Sequence, residues 1–151
     1  VLIEPHRSNC FCAAFLLKVV EMFVSTESKI LFVLGCVFLA TAGAFAAFGF
    51  HGPVDVLPLS KRASWAWAVE MQYYHGAGLL FVGLLMHLLG VSWLLRIAAG
   101  LMVVGMLMFS GLIYAGSLGA PEPLGEAVPS GGFMLMVSWL VLAAAIVIRR
   151  N

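Results

Sequence analysis

Charge is what this chain has least of. Its 151 residues include eight Lys and Arg and seven Asp and Glu, so charged residues make up 10% of the total, where a soluble domain carries about a quarter. That scarcity excludes an ordinary water-soluble domain. The near balance of signs, a formal net charge of +1, gives no electrostatic footprint for nucleic acid or for an acidic substrate. Cysteine is sparse as well. Cys36 falls inside an apolar run, and Cys10 and Cys12 lack the second pair of ligands that a zinc site needs, so no disulfide framework or zinc module is expected. Ser8 and Asn9 ahead of Cys10 do not fit a lipoprotein cleavage site. There is no phosphate-cradling glycine loop, no HExxH and no pair of carboxylates within an apolar run. Ser110 has no base near it in sequence or at its expected depth, and Glu122 with Glu126 belongs to a loop read as solvated. No internal repeat is visible, and an inverted-repeat transporter needs more than four spans.

What is present is hydrocarbon. Hydrophobic residues make up 63% of the chain and the mean hydropathy is +1.08. Four apolar stretches, at about 30–50, 66–89, 97–118 and 132–148, approach or exceed the roughly 20 helical residues needed to cross a bilayer core of about 30 Å. In lipid an open sheet would strand backbone polar groups, so all four are expected to be helical. The fold class expected is an all-α integral membrane four-helix bundle occupying 30–148. Residues 1–29 form an N-terminal segment: Phe11 to Leu17 is too short to span, and 1–21 reads as upstream sequence before Met22 or as a helix along the membrane surface. Residues 149–151 are a short basic end. Arg7, Lys18, Lys29, Arg96, Arg149 and Arg150 fall on one side of such a bundle and only Lys61 and Arg62 on the other, which predicts both termini cytoplasmic. Trp65, Trp67 and Trp93 are placed at the two interfaces.

Small residues at helical spacing predict where backbones approach, because lipid provides no hydrophobic drive between helices. The expected lines are Gly35, Ala42, Ala46 and Gly49 in the first span, and Gln72, His75, Gly76, Leu79, Gly83 and Met86 in the second. In the third they are Gly100, Leu107, Gly111 and Tyr114, and in the fourth Gly132, Met136, Trp139 and Ala143. Trp139 is too deep for an interfacial belt, so its indole nitrogen is expected to bond to another helix.

The runs TAGAFAAFGFH from Thr41 to His51, WAVEMQYYH from Trp67 to His75, FSGLIY from Phe109 to Tyr114 and PSGG from Pro129 to Gly132, with Trp139, occur in order. Together they resemble the small four-span bacterial membrane proteins grouped as domain of unknown function 423, which have a mitochondrial relative of similar layout. The resemblance covers about Ile30 to Ile148 and nothing upstream of Met22. It implies a multi-pass protein of the bacterial inner membrane and supplies no established activity. The chain departs from the pattern at Gly52-Pro53 after His51, and at Gly76 and Gly78, where alanine and leucine types are expected.

Ionisable groups inside a membrane are expensive, which makes His51, Glu70, Gln72 and His75 the candidate polar cluster, all at similar depth. One reading is a metal or proton site, since imidazole ligates metals and titrates near neutrality. The preferred reading is structural, with Gln72 and His75 bonding across helices and to helix carbonyls. Haem ligation fits poorly: His51 adjoins Gly52-Pro53, and His75 and His87 lie on one helix about 18 Å apart. His87 reads as a snorkelling or hydrogen-bonding residue near the inner interface. The methionines, Met102, Met106, Met108, Met134 and Met136 among them, read as packing residues and not as copper ligands. The function expected is therefore a non-catalytic accessory or stabilising subunit with no cofactor, whose partners are the lipid bilayer and other integral membrane subunits or itself, and not nucleic acid. The alternative is a small transporter, channel or metal-handling protein using His51, Gln72 and His75. No nucleophile and base can be paired for an enzyme.

Overall fold

A computed structural model describes residues 25–54 and 56–148, with the backbone alone at 122–124. Residues 1–24 of the expected N-terminal segment, Cys10 with Cys12 among them, and the basic end at Arg149 and Arg150 lie outside the described residues, while 25–29 of that segment form the cap and first turn of the first helix. The described chain is helical, without strands.

Helix α1, Thr26–His51, begins where Ser25 Oγ accepts the Ser28 backbone N–H at 3.1 Å, a side-chain cap that satisfies one of the free donors of the first turn. It stops at Gly52, whose extended backbone precedes Pro53. Helix α2, Leu59–Leu89, starts directly after Pro58 and seven residues ahead of the expected 66. Lys61 and Arg62 are good helix formers and continue the helix into the polar layer, which hydropathy alone does not register. Gly90 then turns the chain at φ +82°, a conformation that suits glycine, and Ser92 Oγ caps the next helix through Leu95 N at 3.3 Å.

Helix α3, Trp93–Ser117, is interrupted by one π turn at Leu107–Gly111. Ala98, Met102, Met106, Ser110 and Tyr114, spaced by four, are all buried. On a helix of 3.6 residues per turn such a series drifts by about 40° per step. The π turn takes up one extra residue, and the drift is reset midway. A 3-10 turn at Glu122–Ala127 leads into helix α4, Val128–Ile148, with Pro129 in its first turn where a missing N–H costs nothing. The loop expected around Glu122 and Glu126 is thus largely helical, and the fourth helix starts four residues ahead of the expected 132.

The chain forms a membrane helical bundle. Helix α1 packs chiefly on α2 and α3 chiefly on α4, while α2 and α3 join the two pairs. One apolar cluster gathers Leu79, Val82 and Met86 of α2 with Leu95, Met102 and Met106 of α3 and Leu135 and Leu142 of α4. A smaller cluster holds Leu57, Trp65, Ala68, Val69 and Tyr114. Along α2 the buried polar pair Gln72 and His75 sits between them. Among the described residues, three helices, α1, α3 and the one ending at Ile148, are long and apolar enough to cross a membrane. Helix α2, the longest at 31 residues, carries Glu70, Gln72, His75 and His87 and is not among those three. It also contributes the most buried residues, and among its polar side chains Gln72 and His75 are the ones bonded to neighbouring helices.

Candidate functional site: an interhelical polar core

Gln72 projects from α2 toward both α1 and α3. Its Nε2 donates to the Phe38 carbonyl at 2.9 Å and to Thr41 Oγ1 at 2.8 Å, and its Oε1 accepts from the Tyr114 hydroxyl at 2.9 Å. The Thr41 hydroxyl proton is already directed at Val37 and Phe38 carbonyls of its own helix, so this oxygen can only accept from the amide. Every partner therefore requires the same amide orientation. Tyr114 is held in turn by Phe45 and Trp65, with ring centroids 4.5 and 4.6 Å away.

One turn further along α2, His75 is buried against α4. Trp139 Nε1 donates to His75 Nε2 at 3.0 Å, and His75 Nδ1 lies 2.8 Å from the Met71 carbonyl. An indole nitrogen can only donate, so Nε2 must be the unprotonated nitrogen and Nδ1 the one that carries hydrogen and donates to Met71. Both ring nitrogens are occupied. Two further bonds complete the set: Ser110 Oγ donates to the Ala68 carbonyl at 2.7 Å, and Trp65 Nε1 donates to the Phe45 carbonyl at 2.7 Å.

The expected cluster of His51, Glu70, Gln72 and His75 does not assemble. Only Gln72 and His75 turn inward, and even these serve different neighbours. Glu70 is two residues from Gln72, about 200° around the helix, and is exposed with its carboxylate accepting from Tyr74. His51 is exposed at the end of α1. Among the described residues, no three His, Cys, Asp or Glu side chains lie close enough to hold a metal ion. His87 is partly buried, and its Nδ1 is enclosed without a hydrogen-bond partner.

The packing lines are met unevenly. A Cβ on Gly35 would fall 2.9 Å from the Gly76 carbonyl oxygen, and one on Gly83 would fall 3.3 Å from that of Ser28, so α1 and α2 touch backbone to backbone. One on Gly76 would meet Leu39 at 3.3 Å, and one on Gly49 would lie 2.7 Å from the Trp65 ring. Trp65 itself is 2% exposed, a core residue and not an interfacial one. In α3 the expected line is displaced: Gly100 and Gly111 face open space and Leu107 is exposed, whereas a Cβ on Gly105 would fall 3.1 Å from the Gly131 carbonyl oxygen. In α4 the buried set is Gly131, Leu135, Ser138, Leu142 and Ala145, one position ahead of the expected line. A Cβ on Gly132 would lie 3.3 Å from the Phe109 ring, but one on Gly131 would fall 2.6 Å from the Phe109 backbone nitrogen, so Gly131 is the tighter approach. Met136, Trp139 and Ala143 are exposed, although Trp139 reaches back to His75. With every residue in α4 apolar or small, hydropathy does not distinguish one face from the next.

A family profile described as "Protein of unknown function (DUF423)" matches residues 42–132, the segment that holds Gln72, His75, Ser110 and Tyr114. This chain belongs to that family. It is 35% identical over 119 residues to a UPF0382 membrane protein of Staphylococcus epidermidis (strain ATCC 12228), covering 78% of this chain and 94% of the relative. It is 31% identical over 119 residues to the UPF0382 membrane protein YwdK of Bacillus subtilis (strain 168), covering 79% and 97%. A third relative, UPF0382 membrane protein SH2409 of Staphylococcus haemolyticus, is 32% identical over 116 residues, covering 76% and 92%. No solved structure matches. The family is an uncharacterised membrane protein family, and Thr41 and Trp139 lie outside the segment its profile matches.

Proposed function

We propose that this DUF423 protein is a non-catalytic accessory or stabilising subunit of a larger integral membrane assembly. It would reside in the bacterial inner membrane, with four helices crossing and both ends of the chain cytoplasmic. The carrying observation is the outward face of α1. Val33, Val37, Ala40, Ala44 and Ala47 are all exposed and recur at alternating steps of four and three. That is the spacing of a helix-packing seam, and its alanines allow close backbone approach in lipid. The interior supports the same reading. Gln72, His75, Ser110 and Trp65 spend their polar atoms on holding helices together, which leaves the core rigid without offering a ligand an open coordination position.

Ala44→Phe tests the reading, since Ala44 faces outward and the bulk of Phe can be accommodated without repacking the bundle. In native gels of membranes solubilised in a mild detergent, the unaltered protein is expected in a species larger than one chain, and the variant as a single chain of unchanged thermal stability. A wild-type protein that runs as a single chain under the mildest extraction overturns the proposal.

A further inference from the structure

Between α1 and α2, at the Leu59 end of α2, lies a cavity of about 410 Å³ lined by Ala46, Gly49, Arg62, Trp65, Ala66 and Glu70, among others. Its walls are apolar along most of their length, and Arg62 stands at its outer end. The guanidinium is only partly satisfied. Nη2 donates to the Gly52 carbonyl at 2.9 Å and Nη1 to that of Phe50 at 3.3 Å, while Nε is enclosed with no hydrogen-bond partner. Both partners are neutral. Among the described residues, no carboxylate lies within ion-pair distance of Arg62, and the ion pair present is the distant one between Arg96 and Glu27. A partly buried cation with an orphaned N–H is a site that wants an anionic oxygen, because such a bond is shorter and stronger than one to a neutral acceptor.

Depth identifies the anion. Trp67 is 57% exposed and Trp93 is 66% exposed, so each can stand in an interfacial aromatic belt. From Trp67 to Leu89, where α2 ends, is 22 residues, about 33 Å of helix and close to the hydrocarbon thickness of about 30 Å. Arg62 is five residues outside Trp67, about 7.5 Å further, within the headgroup layer that adds roughly 5 to 8 Å on each side. The groove then runs inward from Arg62 to Tyr73, about 16 Å, the depth of one leaflet. Glu70, at the inner end with its carboxylate turned to Tyr74, makes that end hostile to an anion and sets the polarity. We infer that this groove is a binding site for an anionic phospholipid, with the phosphodiester on Arg62 and one acyl chain lying along Ala46, Gly49, Ala66 and Val69. The depth argument rests on α2 crossing the bilayer, which side-specific labelling tests separately.

Native mass spectrometry of the full chain, stripped of lipid in detergent and titrated with phosphatidylglycerol or phosphatidylcholine, reads the site directly. Phosphatidylglycerol is expected to bind about tenfold more tightly than phosphatidylcholine, which has the same phosphodiester but brings a trimethylammonium that repels the Arg62 guanidinium and cancels the net charge. Arg62→Gln should abolish that preference. Ala66→Phe, which fills the groove and leaves Arg62 in place, should lower the binding of phosphatidylglycerol with unchanged thermal stability. Arg96→Gln, at the other end of the bundle, and Asp55→Asn, in the α1–α2 connection, should leave it unchanged. Equal binding of the two lipids, retention of the preference in Arg62→Gln, undiminished binding in Ala66→Phe, or equal loss in Asp55→Asn would each overturn the assignment.

Discussion

Gln72 shows how a single polar side chain is made tolerable in a membrane interior. Its carboxamide meets α1 through Phe38 and Thr41 and α3 through Tyr114, so three helices share one amide. Replacing it with Leu removes those bonds and leaves the Tyr114 hydroxyl enclosed, whereas the Phe38 carbonyl keeps its place in the helix ladder. Gln72→Leu is expected to cost about 1–2 kcal/mol in a reversible unfolding titration in mixed micelles, near the range for an orphaned buried hydroxyl. A double-mutant cycle with Tyr114→Phe should return a coupling of about 0.6 kcal/mol, and at most about 1.7, as interhelical bonds in membranes do. Additive single variants would show that the amide and the phenol do not act together. The sequence points at Gln72 and His75 because polar residues two turns into an apolar helix must have partners. It does not point at the partners: Ser110 has the composition of a failed nucleophile and Trp65 that of an interfacial anchor until the fold buries both.

At the scale of the element, the decisive feature is rotation about each helix axis. Helix α3 keeps Ala98, Met102, Met106, Ser110 and Tyr114 on one side only because of the π turn at Leu107–Gly111. Inserting one Ala between Gly111 and Leu112, beyond the turn, swings Leu112–Ser117 by about 100° and withdraws Tyr114 from Gln72, Phe45 and Trp65, whereas deleting the exposed Leu107 removes the extra residue and keeps their register. The insertion is expected to destabilise by about 3 kcal/mol or more, the scale of losing a buried aromatic side chain, and the deletion by much less. Equal effects would mean that the register beyond the turn has no role in aiming Tyr114. The glycines give a second contrast. Gly131→Ala places a methyl 2.6 Å from a backbone nitrogen of α3 and must push the two helices apart, so a loss of about 1–3 kcal/mol is expected. Gly111→Ala enters open space in a helical conformation and should be neutral or raise stability by up to about 1 kcal/mol. Thermal denaturation of the two purified variants separates them by the sign of the shift. From sequence, Gly111 and Gly132 are as plausible as Gly105 and Gly131, because in a helix apolar all round every face transfers equally well into lipid.

For the whole molecule, the expected crossing pattern carries the orientation. Single cysteines introduced at Ser25 and Ser92, in a background with native cysteines replaced by Ser, should react with a membrane-impermeant maleimide from the cytoplasmic side, and those at Lys61 and Gly119 from the opposite side. Labelling of Ser25 and Lys61 positions from one side would remove α1 from the membrane-crossing set. The solvent of this chain was determined by the sequence alone, since transfer free energy sums over composition and a tenth of the residues carrying charge leaves no other phase for four long apolar runs. The helix starts follow from the sequence only coarsely, expected at 30, 66, 97 and 132 against the observed 26, 59, 93 and 128, because caps such as Ser25 and Ser92 and a stop such as Pro58 act through neighbouring backbone and not through hydropathy. What only the tertiary structure decided is which glycine meets which helix, where Tyr114 and Trp139 find acceptors, and why Glu70 and His51 stay outside. Those outcomes turn on contacts of a few ångströms between segments distant in sequence, and hydropathy, which is a property of single residues, contains no information about them.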